Sequence, residues 1–463
     1  MDLASKKQRC FISCFWWPCP KTGPGLAFCG RYGIIIQYGF MPFLQFQAER
    51  RRKGRTRLTK KTKQRVWWAV SLLALLVFAV AMAWLHYQQL CSPGGGNDPY
   101  TSDLGQHLAF AQKGMIYSTT SLLIGPAYAL GGRWGIAILL ALFHLAAIAV
   151  FARGLRPALP QCPAPVRLLI SLVVNFAQAV WMPRGGYWYQ GTIIGTVYHN
   201  TTYIMLAPFA LLAVLSFYRA WHSMSGKLDL RAWLVYTVLL TLATSFKASL
   251  VFAFAPALLL LLIADLIRTR GENFRQEFIM GCSVLPSIGL CLIQANVLFA
   301  DAGSGMNLIF LVDFDRHRML WGPFNEAAVL GLLRSLVFVA AVGILLGRRA
   351  WKTFRYRFSL LLFGVAMAEA LLLVENGERL YHANLWWGPF ICFWVFLLES
   401  VSVWLRACAD WKSGLRDGYL GGRIAVCGAA LVWHIISGIC FLVLLMEGKS
   451  YNIPIQTYHF LFF

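Results

Sequence analysis

Beyond Arg65 the chain is a succession of apolar runs, each about the length of a membrane crossing, separated by short polar stretches. About twenty apolar residues, wound as a helix, span the hydrocarbon core of a bilayer. Eleven segments carry this pattern: Trp67–Tyr87, Trp134–Ala152, Arg167–Met182, Thr202–Tyr218, Ala232–Phe246, Leu250–Ile267, Phe278–Ala300, Ala327–Leu346, Phe358–Val374, Leu385–Leu405 and Ile424–Glu447. Tyr117–Leu130 is also apolar, but it is short and contains Gly125 and Pro126, so it predicts a re-entrant or interfacial piece. The expected fold class is therefore all-α, a polytopic integral membrane bundle of about 11 helices. Residues 1–66 read as a basic tail, 67–448 as the transmembrane domain, and 449–463 as a short outer tail. The first forty residues, with Cys10, Cys14, Cys19 and Cys29, read equally as part of that tail or as an extension ahead of Met41.

Composition agrees. Hydrophobic residues make up 58% and charged residues 13% of the 463 positions. Mean hydropathy is +0.59. A soluble surface needs more polar cover than this, and a disordered chain far more. The net charge of +23 changes the picture only through its placement. Lys and Arg crowd Glu49–Arg65 and then recur in alternate connections, such as Arg348 to Arg357 and Arg406 to Arg423. That is the bias of cytoplasmic loops. It predicts a multi-pass protein of the cell membrane, with a cytoplasmic N-terminus and a working face outside, and it gives no reason to expect nucleic acid as a partner. P-loop, His-Glu-x-x-His and Gly-x-Ser-x-Gly patterns are absent, so the chemistries they support have no footing here.

The connections assigned to the outer face are longer and richer in carboxylates, imidazoles and aromatic rings, and function concentrates in such loops. The first contains Asp98-Pro99-Tyr100-Thr101-Ser102-Asp103-Leu104-Gly105-Gln106-His107. Ser102 can cap a short helix, which places Asp103 and His107 four apart on one face, a pair suited to general-base work. The second contains Arg184, Trp188, Tyr189, His199 and Asn200, where rings can stack on sugars and the polar groups can bond hydroxyls. Lys247 sits in a tight connection between two apolar runs, placed to meet a phosphate. Arg316-His317-Arg318 offers guanidinium forks for the same purpose. Glu369 lies inside an apolar run, where an ionisable group implies a polar partner or cavity. If the helix continues past it, Glu375, Glu378, Arg379 and His382 share one face.

In its succession of spans and in the acidic stretch Asp98 to Asp103 after the first of them, the chain resembles the GT-C class of membrane glycosyltransferases. The resemblance implies a polyprenyl-phosphate-linked sugar donor, a glycan, lipid or protein acceptor of the cell envelope, and a catalytic carboxylate, Asp103 or Asp98. A divalent cation is a conceivable cofactor; no metal ligands are assigned. The chain departs from the class in the wide spacing of its two Asp. Two alternatives stand beside this reading: a polymerase of lipid-linked repeat units using the same outer-face chemistry, and a transporter or flippase.

The orientation is open to a direct check. With Cys91 as the only cysteine, an impermeant thiol reagent is expected to label intact cells; with Cys408 as the only cysteine, it is not. The reverse pattern would invert the topology.

Overall fold

The computed structural model describes residues 41–92, 99–116, 118–182, 187–189, 191–224, 226–298, 308–310, 325–375, 384–414 and 418–451. The chain divides into two compact units, Met1–Lys61 and Thr62–Phe463. In the first, the described residues from Met41 on are helical. The second holds everything that follows.

The described chain is almost wholly helical. In order it forms α1 (Met41–Cys91), α2 (Leu104–Gln112), α3 (Thr119–Gly154), α4 (Ala164–Asn175), α5 (Thr201–Ser223), α6 (Leu230–Phe246), α7 (Ser249–Thr269), α8 (Phe274–Cys282) and α9 (Leu285–Ile293). A three-residue strand β1 (Leu308–Phe310) precedes α10 (Asn325–Leu345) and α11 (Phe354–Leu372). Strand β2 (Leu373–Glu375), α12 (Trp387–Lys412) and α13 (Leu420–Met446) complete the chain. The two strands pair antiparallel, Leu308 opposite Glu375.

Every one of the eleven apolar segments contains a helix. Among the described residues, seven helices are both long and apolar enough to cross a membrane, so a count of eleven is not reached by that measure. The difference has local causes. Helices α4 and α6 are short, and α11 carries Arg355, Arg357 and Glu369. The outward faces fit lipid as their solvent. Helix α1, for example, exposes Leu72, Leu73, Leu76, Val77 and Val80, a stripe that water would penalise.

The apolar piece expected at Tyr117–Leu130 is helical from Thr119, and a kink separates it from the rest of α3. Helical geometry breaks at Gly131 and Gly132, whose positive φ of 59° suits a residue without Cβ. The chain folds back there: a Cβ on Gly135 would lie 2.1 Å from the Ala127 carbonyl, whereas a straight helix would hold those residues about 12 Å apart. Thr119 at one end donates to Ser245 near the end of α6 (2.7 Å), and Trp134 beyond the other end stacks on Tyr87 near the end of α1. Both ends therefore lie at the same end of the bundle, as an interfacial piece requires.

The larger departure follows α4. The apolar pattern to Met182 predicts a continuous span, but the helix stops at Asn175, and the described residues that follow, 176–182, 187–189 and 191–200, are irregular yet largely buried. Irregular backbone at membrane depth needs protein partners for its amides and carbonyls. They come from α10 and α13. His434, midway along α13, donates from Nδ1 to the Gln178 carbonyl (2.5 Å) and accepts at Nε2 from the Phe338 amide (3.2 Å). Arg334, fully buried, donates from Nε to the Val180 carbonyl (2.7 Å) and from Nη1 to that of Tyr187 (3.0 Å). Ser335 accepts from the Ile193 amide and Ser437 from that of Trp181, each at 2.8 Å.

This docking leaves no room at Gly438, where a Cβ would lie 1.5 Å from the Phe176 carbonyl oxygen. In a helix Gly→Ala is normally stabilising by about 1 kcal/mol. Gly438→Ala should instead destabilise by about 3 kcal/mol or more, because backbone must move. Gly364→Ala, on an open face of α11, should be neutral or stabilising. Thermal unfolding of the detergent-purified variants measures both; an unchanged midpoint for Gly438→Ala would contradict the docking.

Candidate functional site

The irregular segment ends at the start of α5, and there it meets the loop that follows α1. Asn200 caps α5, its Oδ1 accepting from the Tyr203 amide at 2.9 Å. Ser102, expected to cap α2, instead precedes the cap residue Asp103; its Oγ accepts from the Leu104 amide (3.1 Å) and donates to the His199 carbonyl (3.0 Å). The Asp103 amide donates to that carbonyl too. Two segments about a hundred positions apart are thus joined backbone to backbone.

Asp103 is the centre of the junction. Its Oδ1 accepts from the Thr201 amide (2.9 Å) and hydroxyl (2.8 Å), and its Oδ2 from Asn200 Nδ2 at 2.8 Å. His107 Nε2 lies 3.2 Å from the same Oδ2, one turn along α2. The i,i+4 pairing expected from the sequence is therefore present. Burial pushes the Asp103 carboxyl up, but the bonds and charge of His107 and the two bonds from Thr201 outweigh it and hold the group below its ordinary 3.8.

The network continues inward. Asn200 Oδ1 accepts from the Thr202 hydroxyl (3.0 Å), and Lys247 Nζ donates to that hydroxyl oxygen (3.1 Å). Lys247 follows the last residue of α6 and sits 5.0 Å from the Trp387 ring centre, a cation–π contact. A carboxylate, an imidazole and an ammonium group thus share one continuous polar chain at one end of an apolar bundle.

An aromatic wall stands beside it. His199 stacks on Tyr451 with ring centres 3.9 Å apart, and Tyr189 meets His199 edge-on at 4.8 Å while stacking on Phe390. Burial lowers the His199 imidazole to about 4, partly opposed by Asp103 and reinforced by Lys247, so it is neutral at pH 7. Burial and the nearby Asp103 charge raise the Tyr451 hydroxyl. Trp188, expected beside Tyr189 as a sugar-stacking ring, is instead buried at 2% exposure in the packing between α1, α4 and α13. Alternating neighbours of an irregular segment face opposite ways, and the pocket side took Tyr189.

Glu369 is half-buried on α11, one turn beyond Ala366, whose Cβ approaches the Gly388 backbone near the start of α12. It has no hydrogen-bond partner among the described residues. The shared helical face expected for Glu375, Glu378, Arg379 and His382 fails at its first member. Helix α11 ends at Leu372 and Glu375 lies in β2, where pairing with β1 replaces the helical ladder. Glu378, Arg379 and His382 lie outside the described residues, as do Asp98, Arg184, Arg316, His317 and Arg318. Among the described residues no three His, Cys, Asp or Glu side chains converge as a metal site would require. Trp387 and Tyr451 escaped the sequence reading, and Thr201 and Thr202 have no role assigned there, since nothing local ties any of the four to Asp103 or Lys247.

No protein family, curated protein or solved structure matches this chain.

A carboxyl held low in the folded state adds stability that is complete above its unfolded value and lost as pH falls through its folded one. For Asp103 that loss lies below about pH 4, on the 3.8 reference. Asp103→Asn should flatten this acid limb of a thermal-midpoint series. It should also lower the midpoint at pH 7, because an amide nitrogen would face donors. An acid limb identical to wild type would show that the carboxylate does not hold the junction.

Proposed function

We propose that this protein is a membrane glycosyltransferase of polyprenyl-phosphate-linked sugars, working at the end of the bundle that carries Asp103. The observation that carries the reading is the polar chain Asp103–His107–Asn200–Thr202–Lys247 set against apolar helices. Carboxylate with imidazole supplies proton transfer, and the ammonium supplies a phosphate contact at the point where a lipid-borne headgroup would arrive. Ionisable groups so placed are costly and are kept for function more often than for packing.

In this reading an acceptor hydroxyl attacks the sugar C1 as the bond from C1 to the carrier phosphate oxygen breaks. The bonding pair leaves with the phosphate, and Lys247 offsets the developing charge. The proton passes to the Asp103–His107 pair. Four donors make Asp103 a weak base by itself, so it orients the His107 imidazole, which relays the proton. Tyr189, His199 and Tyr451 form an aromatic wall suited to a sugar face, and Glu369 is an acceptor for its hydroxyls. A cell-membrane location with this end outside follows from the charge bias of the loops.

The irregular backbone described between α4 and α5 favours a second reading, a transporter, because broken helices line many transport sites. Its carbonyls at Gln178, Val180 and Tyr187 are already taken by His434 and Arg334, which supports a structural role for the break.

Transfer from a synthetic polyprenyl-phosphate monosaccharide to lipid-linked glycan in proteoliposomes tests the reading. His107→Gln and Lys247→Gln should each lower turnover by about 100-fold, the scale of lost acid–base or electrostatic assistance. Near wild-type transfer by both purified variants would remove the proposed roles, and growth of the glycan by whole repeat units would favour the polymerase.

A further inference from the structure

The opposite end of the bundle holds a second polar feature that the proposed transfer does not use. From Thr201, at the Asp103 junction, to Trp221 near the other end of α5 is about 30 Å along the helix, a full hydrocarbon thickness. There the ends of α5, α7 and α12 and the start of α11 enclose a cavity of about 740 Å³.

Its wall is of two kinds. Trp221, Leu261, Phe358 and Leu361 give an apolar surface, and Arg268, Arg355, Arg357 and Arg406 line the rest together with Asp265 and His222. Two of these arginines are neutralised. Arg268 pairs with Asp265, and Arg355 pairs with the buried Glu399 at 2.7 Å while lying 4.9 Å from the Tyr218 ring centre. Neither of the other two is in a close ion pair among the described residues, though the Arg406 charge reaches the buried Glu399. Arg406 makes one long bond, 3.4 Å, to the Pro157 carbonyl, and the exposed Arg357 side chain makes none among the described residues.

Basic residues at helix ends are what topology alone requires. A cavity that joins two guanidinium groups outside any close ion pair among the described residues to an aliphatic and aromatic wall is more than topology requires. Guanidinium forks match phosphate oxygens, and basic pockets between membrane helices accept anionic headgroups. The apolar side suits an acyl chain, which a free phosphate lacks. The geometry points to this cavity as a binding site for an anionic phospholipid, its phosphate between Arg357 and Arg406 and an acyl chain along Leu261, Phe358 and Leu361. The site is independent of the transfer chemistry at Asp103.

The test uses the full chain in detergent, titrated with dioleoyl-phosphatidylglycerol, dioleoyl-phosphatidylcholine or inorganic phosphate, read by native mass spectrometry and thermal midpoint. Phosphatidylglycerol should remain bound and raise the midpoint, and the other two should not. Arg357→Gln and Arg406→Gln should each weaken that binding at least tenfold, while Arg423→Gln, outside the cavity wall, leaves it unchanged. Arg357 and Arg406 are both exposed, so both variants are expected to fold, and the elution profile reports whether each has. Equal phosphatidylglycerol binding by folded Arg357→Gln would overturn the site. Equal stabilisation by inorganic phosphate would make it a free-phosphate site, and equal retention of phosphatidylcholine would make it unselective; either result overturns the proposal.

Discussion

Backbone amides and carbonyls at membrane depth must find protein partners, and the stretch after α4 makes that demand acute. The described residues of 176–182, 187–189 and 191–200 leave helical geometry inside the bundle. The structure meets the demand with side chains from two other helices: Arg334 and Ser335 on α10, His434 and Ser437 on α13. Even the helix ladder takes part. The Arg334 carbonyl and Phe338 amide, ordinarily partners four residues apart, also take the Val180 amide and His434 Nε2. Burying an arginine is expensive, but this one spends its charge on carbonyl groups that water cannot reach.

That docking decides where the junction lies. The irregular segment delivers His199–Thr202 to the head of α5, where backbone and side-chain bonds fasten the loop after α1 through Ser102 and Asp103. Asp103 is therefore structural and chemically suggestive at once. Three bonds from Asn200 and Thr201 pin the loop, and those of Thr201 and His107 hold the carboxyl below its ordinary value. Lys247 joins from α6 through one shared hydroxyl, and burial keeps His199 neutral among the rings.

Charge is handled differently at the two ends. At the Asp103 end, Asp103, His107 and Lys247 are joined along one hydrogen-bonded chain. At the other end two ion pairs reach across helices, Arg355 with Glu399 and Arg349 with Asp410 at 2.8 Å. Between the ends the bundle is apolar outward and tightly packed inward, as a lipid solvent asks of it.

The sequence by itself determined the class of fold, because the length of an apolar run and the period of a helix are local properties. It also determined the pairing of Asp103 with His107, which needs only one turn of helix, and the tight placement of Lys247. Tertiary structure decided the rest. An apolar run reads the same whether it continues as helix or unwinds against a neighbour, so the break after Asn175 was invisible until Arg334 and His434 stood opposite it. For the same reason Trp188 and Tyr189, adjacent and both aromatic, could not be told apart until one was buried and the other faced His199. Thr201 and Thr202 gained their roles only when distant loops met, since a hydroxyl has no meaning to a carboxylate or an ammonium group that the fold has not yet brought within 3 Å.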